Sequence, residues 1–102
     1  MAAELAAALP AVALVLAACL GGVGLVARQV VLADAAAGAA RALARGEDES
    51  RARGLVERAA PRAAVGVERD GDYVCVRLRE RAPFAALPID VTARSCALDG
   101  GW

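Results

Sequence analysis

The sequence predicts an α+β protein: a long N-terminal hydrophobic helix extending into an amphipathic helix, a short second helix and a three-stranded antiparallel sheet. Three observations support this prediction. The chain of 102 residues begins with a long uncharged apolar run, continues with apolar residues at helical spacing, and ends with apolar and polar residues in alternation. We predict a transmembrane or filament-core helix over residues 1–27, its extension over 28–46, and a small exported α+β domain over 47–102.

The composition argues against several classes of function. Formal net charge is zero, there is no His, and Phe, Tyr and Trp each occur once. His is the commonest general base and a frequent metal ligand, so its absence weakens both a catalytic and a metal-binding interpretation. No basic stripe is interleaved with aromatic residues, as nucleic-acid binding would require. We therefore expect no enzyme, no cofactor, no metal and no nucleic-acid partner.

The uncharged apolar run extends from Leu5 to Ala27. As a helix it would be about 34 Å long, enough to cross a bilayer core of about 30 Å. Pro10 near its start removes a backbone hydrogen bond, and glycines near its end loosen the helix or allow another helix to come close: Gly21, Gly22 and Gly24. The alternative is that a lipid-buried helix simply tolerates these four residues.

The helix is predicted to continue beyond the apolar run, from Arg28 to Arg45. Apolar residues recur there at steps of three and four, as in an amphipathic helix: Val31, Leu32, Ala35, Ala36, Ala39, Ala40 and Leu43. Gly46 is a typical C-terminal stop. This part of the helix should therefore cover another element with one face.

A second helix is predicted over residues 51–60. Ser50 is its expected N-cap, acidic residues precede it, and Pro61 ends it. Its apolar side would be formed by Leu55, Val56 and Ala59.

From Ala63 onward the period of apolar residues changes to two, which predicts strands. Asp70 and Gly71 supply a hairpin turn, because these residue types accept positive φ. Residues 81–88 form a loop with two prolines, and three sets of alternating apolar residues predict an antiparallel meander: Val65 and Val67; Val74, Val76 and Leu78; Ile89, Val91 and Ala93.

The cysteines indicate a disulfide. Cys75 and Cys96 form an even pair in the soluble part, and oxidising compartments preserve such pairs as disulfides, whereas Cys19 in the apolar run should stay unpaired. If Cys75 lies opposite Cys96, that register also gives one unfavourable and one favourable pair: Arg77 with Arg94, and Arg81 with Asp90. The register is compatible with the sequence and is not required by it.

The start of the chain resembles that of the TadE-like minor pilins, which belong to the tight-adherence (Flp) pilus systems, a branch of type IV pili. The resemblance is carried by Met1-Ala-Ala-Glu4-Leu-Ala-Ala-Ala-Leu-Pro10 followed by Ala-Val-Ala-Leu-Val-Leu. It extends over nearly the whole chain, in the form typical of GC-rich Gram-positive bacteria, through Asp34–Arg41, Arg69–Val76 and Ala93–Ala97.

The resemblance implies a structural or assembly-priming subunit without catalytic activity. Its implied partners are other pilin subunits, bound through the N-terminal helix, together with the membrane, a prepilin peptidase and the pilus assembly platform. Glu4 matches the family's conserved glutamate, which implies a registration charge that pairs with a neighbour's amino terminus; the alternative is an ordinary interfacial carboxylate. The family has a basic leader and Glu4 stands one position early, so we expect a late-placed start codon or a near-mature chain.

Two other functions are compatible with the residues. The string from Leu16 to Cys19 matches a lipoprotein cleavage box, which would make the chain a lipid- or helix-anchored exported binding protein. No basic residue precedes the apolar run, however, and the run continues beyond Cys19. The other alternative is a single-pass membrane regulator with its soluble part in the cytoplasm. We expect instead an extracytoplasmic C-terminal domain, assembled into surface pili.

Overall fold

The computed structural model describes residues 2–82 and 87–100 and confirms the predicted α+β architecture. The elements are α1 (Ala2–Ala44), α2 (Glu49–Ala59), β1 (Ala64–Asp70), β2 (Tyr73–Arg81) and β3 (Asp90–Leu98). The strands form one antiparallel sheet in the order β1-β2-β3. The molecule measures 68 × 21 × 19 Å, because the first half of α1 projects from the rest. We call the part formed by residues 45–82 and 87–100, which packs against the second half of α1, the head.

The second half of α1 covers one face of the sheet, as its amphipathic pattern predicts. Leu32 is fully buried, and most other positions of the predicted face are also buried, namely Ala35, Ala36, Ala39, Ala40 and Leu43, with Val31 half-buried. Most of these side chains are single methyl groups, so the helix backbone can lie close to the strands. The bulk of the core then comes from the sheet, where Val74, Val76 and Leu78 are fully buried.

Gly46 ends α1 as predicted. It has φ of +88°, a left-handed conformation that glycine adopts without the penalty that a Cβ would bring. The Gly46 N–H donates to the Leu43 carbonyl at 3.0 Å, and the Glu47 N–H donates to the Ala42 carbonyl at 3.1 Å. These two bonds form a Schellman motif, which satisfies carbonyls that the helix end would otherwise leave without partners.

The second helix begins two residues earlier than predicted, and its N-cap is Asp48 rather than Ser50. Asp48 has extended backbone angles, and its carbonyl accepts from the Ala52 N–H at 3.1 Å; its side chain makes no capping bond. The buried face also differs from the prediction. Val56 is buried as expected, but Leu55 and Ala59 are exposed, and the residues one turn to either side of Val56 take their place: Ala52 and Ala60.

The hairpin between β1 and β2 has a two-residue loop formed by Gly71 and Asp72. Gly71 has φ of +60°, as the turn requires. Asp70, which we predict within the turn, is instead the last residue of β1 and pairs with Tyr73. The alternation itself is confirmed, since Val65 and Val67 pack against the core, facing the same side as the buried residues of β2.

The pairing of β2 with β3 has the register that brings the two cysteines together. Cys75 lies opposite Cys96, and the structure confirms the disulfide between them, with a Cα–Cα distance of 4.0 Å, somewhat shorter than the 4.4 Å or more expected. The same register sets Arg77 opposite Arg94. Arg77 forms an ion pair with Glu68 on β1 at 3.6 Å, and the Arg94 guanidinium donates to the Cys75 sulfur at 3.5 Å. Each of the two facing arginines therefore contacts a polar or charged group other than the opposite arginine.

The predicted loop over residues 81–88 is shorter at its start, because Arg81 belongs to β2 and pairs with Asp90. The Ala82 N–H donates to the Ile89 carbonyl at 2.7 Å, which continues the ladder by one bond. Residues 83–86 of this loop lie outside the described residues.

Candidate assembly site

Residues 2–24 of α1 form an apolar rod that the rest of the described chain does not cover. Its Leu and Val side chains are exposed on all sides, with exposed fractions between 53% for Val12 and 73% for Leu20. α1 is the helix long and apolar enough to cross a membrane by length and composition, and none of its most apolar 18-residue window is buried. Exposure of so much apolar surface is unfavourable in water, so lipid or another protein must cover it.

The predicted assembly residues all lie along this rod. Glu4 is exposed in the first turn of α1, where the helix dipole favours a carboxylate. Pro10 lies inside the helix, so the Ala6 carbonyl lacks its usual intrahelical donor. A Cβ atom added at Gly22 or Gly24 would have no atom of another described residue within 4 Å, apart from its own helix backbone and chain neighbours. Packing within the head therefore does not explain these two glycines.

The head is attached to α1 by a buried ion pair that was not predicted from the sequence. The Nη2 atom of Arg28 donates to both carboxylate oxygens of Glu80, at 2.7 and 2.6 Å. Among the described residues, Glu80 is the charged residue that is buried, with 2% exposure. The Arg28 side chain is 35% exposed. Arg62, which follows α2, approaches the same carboxylate at 3.9 Å.

Strand alternation explains why Glu80 is buried. Val76 and Leu78 point toward α1, and Glu80 follows in the same phase. A carboxylate at such a position is costly unless it is paired. Arg28 supplies that pairing one turn before Leu32, the first fully buried residue of α1. The signal in the sequence was the unexpected acid in the phase of the apolar residues, together with the arginine at the end of the apolar run.

A second polar contact, next to Arg28 along α1, holds the helix against the sheet. The Gln29 side-chain amide donates to the Thr92 carbonyl of β3 at 2.7 Å. Arg28 thus holds β2 and Gln29 holds β3, so that two neighbouring residues attach α1 to two strands. This arrangement defines the angle and rotation at which the apolar rod leaves the head.

The remaining chemically notable residues are separate from each other. Cys19 is a free, exposed thiol in the middle of the apolar rod, as predicted. Asp70 and Asp72 lie at the hairpin, at the far end of the head from Arg28. Within residues 2–82 and 87–100, no group of three or more His, Cys, Asp or Glu side chains is arranged to hold a metal ion.

Comparisons with known proteins place the chain in a family. No family model matches the chain, and no solved structure matches it. Among curated proteins, the chain is similar to a protein of Mycobacterium tuberculosis (strain ATCC 25618 / H37Rv) named apoptosis inhibitor Rv3655c. The two are 41% identical over 97 residues, which cover 93% of this chain and 75% of the mycobacterial protein. At this identity and coverage, the chain belongs to the family of the mycobacterial protein Rv3655c.

Proposed function

We propose that the chain is a pilin-like subunit of a tight-adherence pilus or secretion system, anchored in the membrane by α1. One observation carries this proposal: an apolar rod, exposed among the described residues, continues without a break into a helix covered by a disulfide-bonded head. This geometry is compatible with an assembly element that is joined to a displayed domain. The resemblance of residues 1–16 to the TadE-like minor pilins supports the same function.

The disulfide supports an extracytoplasmic head. Such bonds form and persist in oxidising compartments, and Cys75 is buried while Cys96 is exposed on the outer face of the sheet. In this orientation the first residues of α1 face the cytoplasm, and Arg28 lies at the outer surface of the membrane. A head facing the cytoplasm, as in a membrane regulator, would be exposed to reducing conditions.

Glu4 is the residue that we propose to register one subunit against the next. A carboxylate at the edge of hydrocarbon is costly without a partner. Arg28, the first arginine along α1, lies about 36 Å away along the helix axis. A cation from another subunit is therefore the natural partner, and a neighbour's terminal ammonium group would have the right charge and position. A shifted neighbour would leave Glu4 unpaired, so the pair would also fix the register.

The test compares Glu4→Ala with Glu57→Ala, a matched change of an exposed acid in the head. Glu4→Ala should reduce surface pili several-fold while leaving the membrane level of the subunit and its disulfide unchanged. Glu4→Asp should be milder, and Glu57→Ala should have no effect. The measurement is pilus yield by immunoblot of sheared surface fractions, normalised to membrane-bound subunit. Normal yield in Glu4→Ala, at an unchanged subunit level, would refute the registration role.

The lipoprotein alternative requires cleavage before Cys19 and acylation of its thiol. The apolar run continues beyond Cys19 to Ala27 and no basic residue precedes it, which favours an uncleaved helix instead. Metabolic labelling with a radioactive fatty acid separates the two. We expect no label on the chain, and label that disappears in Cys19→Ser would instead establish a lipoprotein.

A second candidate function, inhibition of apoptosis, comes from the name of the mycobacterial relative. Its test applies the purified full chain to cells in which apoptosis has been induced and measures caspase activity. The control is the Cys75→Ser/Cys96→Ser variant, whose head is destabilised. A decrease in caspase activity relative to induced cells without added protein, seen with the wild-type chain and not with the variant, would support this function. Caspase activity with the wild-type chain equal to that of cells without added protein would refute it.

A further inference from the structure

The end of the head that contains Glu80 and Ala82 lies beside the end of the apolar run of α1. Leu25 belongs to that run, yet it is half-buried and packs against the core of the head, as does Ala82 just after β2. The carboxylate of Glu80 contacts Arg28, which directly follows the run. If residues 5–27 span a bilayer, this end of the head must therefore rest on the membrane surface.

The same end of the head is rich in arginine. Arg28 and Arg62 lie near Glu80, and two further arginines lie near Asp90: Arg79 at 3.1 Å and Arg81 at 3.9 Å. Four guanidinium groups thus share two carboxylates, an excess of two positive charges. The last turn of α2 adds Glu57 and Arg58, which cancel. Three of the four side chains are well exposed, by 82% for Arg62, 67% for Arg79 and 75% for Arg81.

The opposite end of the head has the opposite charge. It contains the α1–α2 connection, the first turns of α2, the β1–β2 hairpin and the end of β3. With the last turn of α1 included, six acids stand there against five arginines: Glu47, Asp48, Glu49, Asp70, Asp72 and Asp99 against Arg41, Arg45, Arg51, Arg53 and Arg69. The head is therefore polarised along the axis of α1, with its positive end next to the apolar rod.

We propose that Arg62, Arg79 and Arg81 form a membrane-surface site that binds the phosphate groups of anionic lipids. We call these three residues the arginine collar. The headgroup layer extends about 5–7 Å beyond the hydrocarbon on each side, which is the level that the geometry gives to this end of the head. Guanidinium groups pair with phosphate oxygens through charge-assisted hydrogen bonds, and anionic leaflets attract basic residues placed beside a spanning helix.

Arg28 has a different role, because both oxygens of Glu80 already engage it. It fixes the height of the head above the bilayer, and the arginine collar makes the lipid contacts. The collar would favour anionic lipids around each subunit and hold the head upright on the membrane. This inference rests on the membrane anchoring in the proposed function.

The test uses the full chain reconstituted in phosphatidylcholine vesicles that carry a trace of spin-labelled lipid. Electron paramagnetic resonance measures the fraction of labelled lipid immobilised by the protein, for phosphatidylglycerol and for phosphatidylcholine. The wild-type chain should prefer phosphatidylglycerol by roughly two- to fourfold at low salt, and this preference should approach one in concentrated salt. The triple variant R62Q/R79Q/R81Q should lose the preference.

The matched control is R45Q/R51Q/R53Q, which removes the same charge from the opposite end and should keep the preference. Circular dichroism and an intact disulfide establish that both variants are folded. Equal immobilisation of the two lipids by the wild-type chain overturns the proposal, as does an equal loss of preference in the control variant. If the collar variant instead changes only self-association of the chain, the collar binds a neighbouring head, and the lipid site is refuted.

Flotation of the vesicles at alkaline pH separates this inference from the one on which it depends. A chain that floats with the vesicles but shows no lipid preference overturns the arginine collar alone. A chain that does not float overturns the membrane anchoring and the collar with it.

Discussion

Replacing Arg28 with Gln should destabilise the head by about 2–3 kcal/mol. The change leaves the Glu80 carboxylate, which is 2% exposed, with Arg62 at 3.9 Å as its remaining described cation. Removing one partner of a fully buried ion pair typically costs about 3–5 kcal/mol. Arg28 is 35% exposed, so water can reach the vacated position, and we take a value below that range.

The assay is thermal unfolding of the full chain in detergent micelles, followed by near-ultraviolet circular dichroism, which reports on the head. For a domain of this size the loss corresponds to a decrease in Tm on the order of 10 °C. The control is Arg53→Gln, which removes an exposed pair with Glu49 and should cost at most about 0.5 kcal/mol. An Arg28→Gln variant as stable as this control would refute the reasoning.

The double variant Arg28→Met/Glu80→Met tests whether the cost comes from the unpaired charge. Replacing both members of a buried pair by apolar residues is often neutral or stabilising. We therefore expect the double variant to be more stable than Arg28→Gln. A double variant less stable than Arg28→Gln would show that the unpaired Glu80 charge is not the main cost. The attraction between Arg28 and Glu80 would then be what holds the head on α1.

Three further predictions concern the stability of the fold and its membrane anchoring. The Cys75→Ser/Cys96→Ser variant should lose about 3 kcal/mol of stability, because the bond closes a loop of 21 residues, and urea unfolding with and without reductant measures this loss. Leu78→Ala should cost about 2–5 kcal/mol in the same assay, since the side chain is fully buried; a loss below 1 kcal/mol would contradict its place in the core. Carbonate extraction should leave the full chain in the membrane pellet, and its release into the supernatant would contradict a spanning α1.

The sequence was sufficient to predict the elements whose signals are periodic. Alternation over Val74, Val76 and Leu78 indicated both the strand and its buried face, and the spacing of alanines from Ala35 to Ala40 indicated the face of α1 that covers it. Both signals depend only on which side of an element is apolar. Gly46 was predictable for a local reason, since the end of a helix favours a residue that accepts positive φ.

The features that the sequence did not predict depend on contacts between distant parts of the chain. Glu80 and Arg28 are 52 residues apart, and nothing local indicates that the helix passes the end of β2 at that level. The buried side of α2 was not predicted for the same reason, because Leu55 and Ala60 are both apolar and either could face the core. Only the position of α1 beside the second helix determines that Ala60 is buried and Leu55 is exposed.

The residues of the candidate assembly site were predictable from the sequence, but the way in which the head is attached to α1 was not. The apolar run and Glu4 follow directly from the sequence. The level at which the head meets the rod does not, because it depends on the contacts of Arg28 with Glu80 and of Gln29 with Thr92. Those contacts place the basic end of the head beside the apolar run, on which the lipid inference depends.

The most direct test of the central claim is cross-linking between copies of α1 in native membranes. Cys19 is a free, exposed thiol within the apolar rod, and oxidation by copper phenanthroline joins two such thiols only when neighbouring rods are close. In a Cys19→Ser background, single cysteines at Val12, Leu16 and Val23 extend the measurement along the side of the helix that carries Cys19. Single cysteines at Leu14 and Ala17 sample the opposite side.

If the rods assemble with like subunits, dimers on non-reducing gels should appear at positions three or four residues apart and be weak at positions between them, following the period of a packed helix face. Glu4→Ala should reduce these dimers. Monomers at every position, in chains present in the membrane at the wild-type level, would contradict assembly through α1.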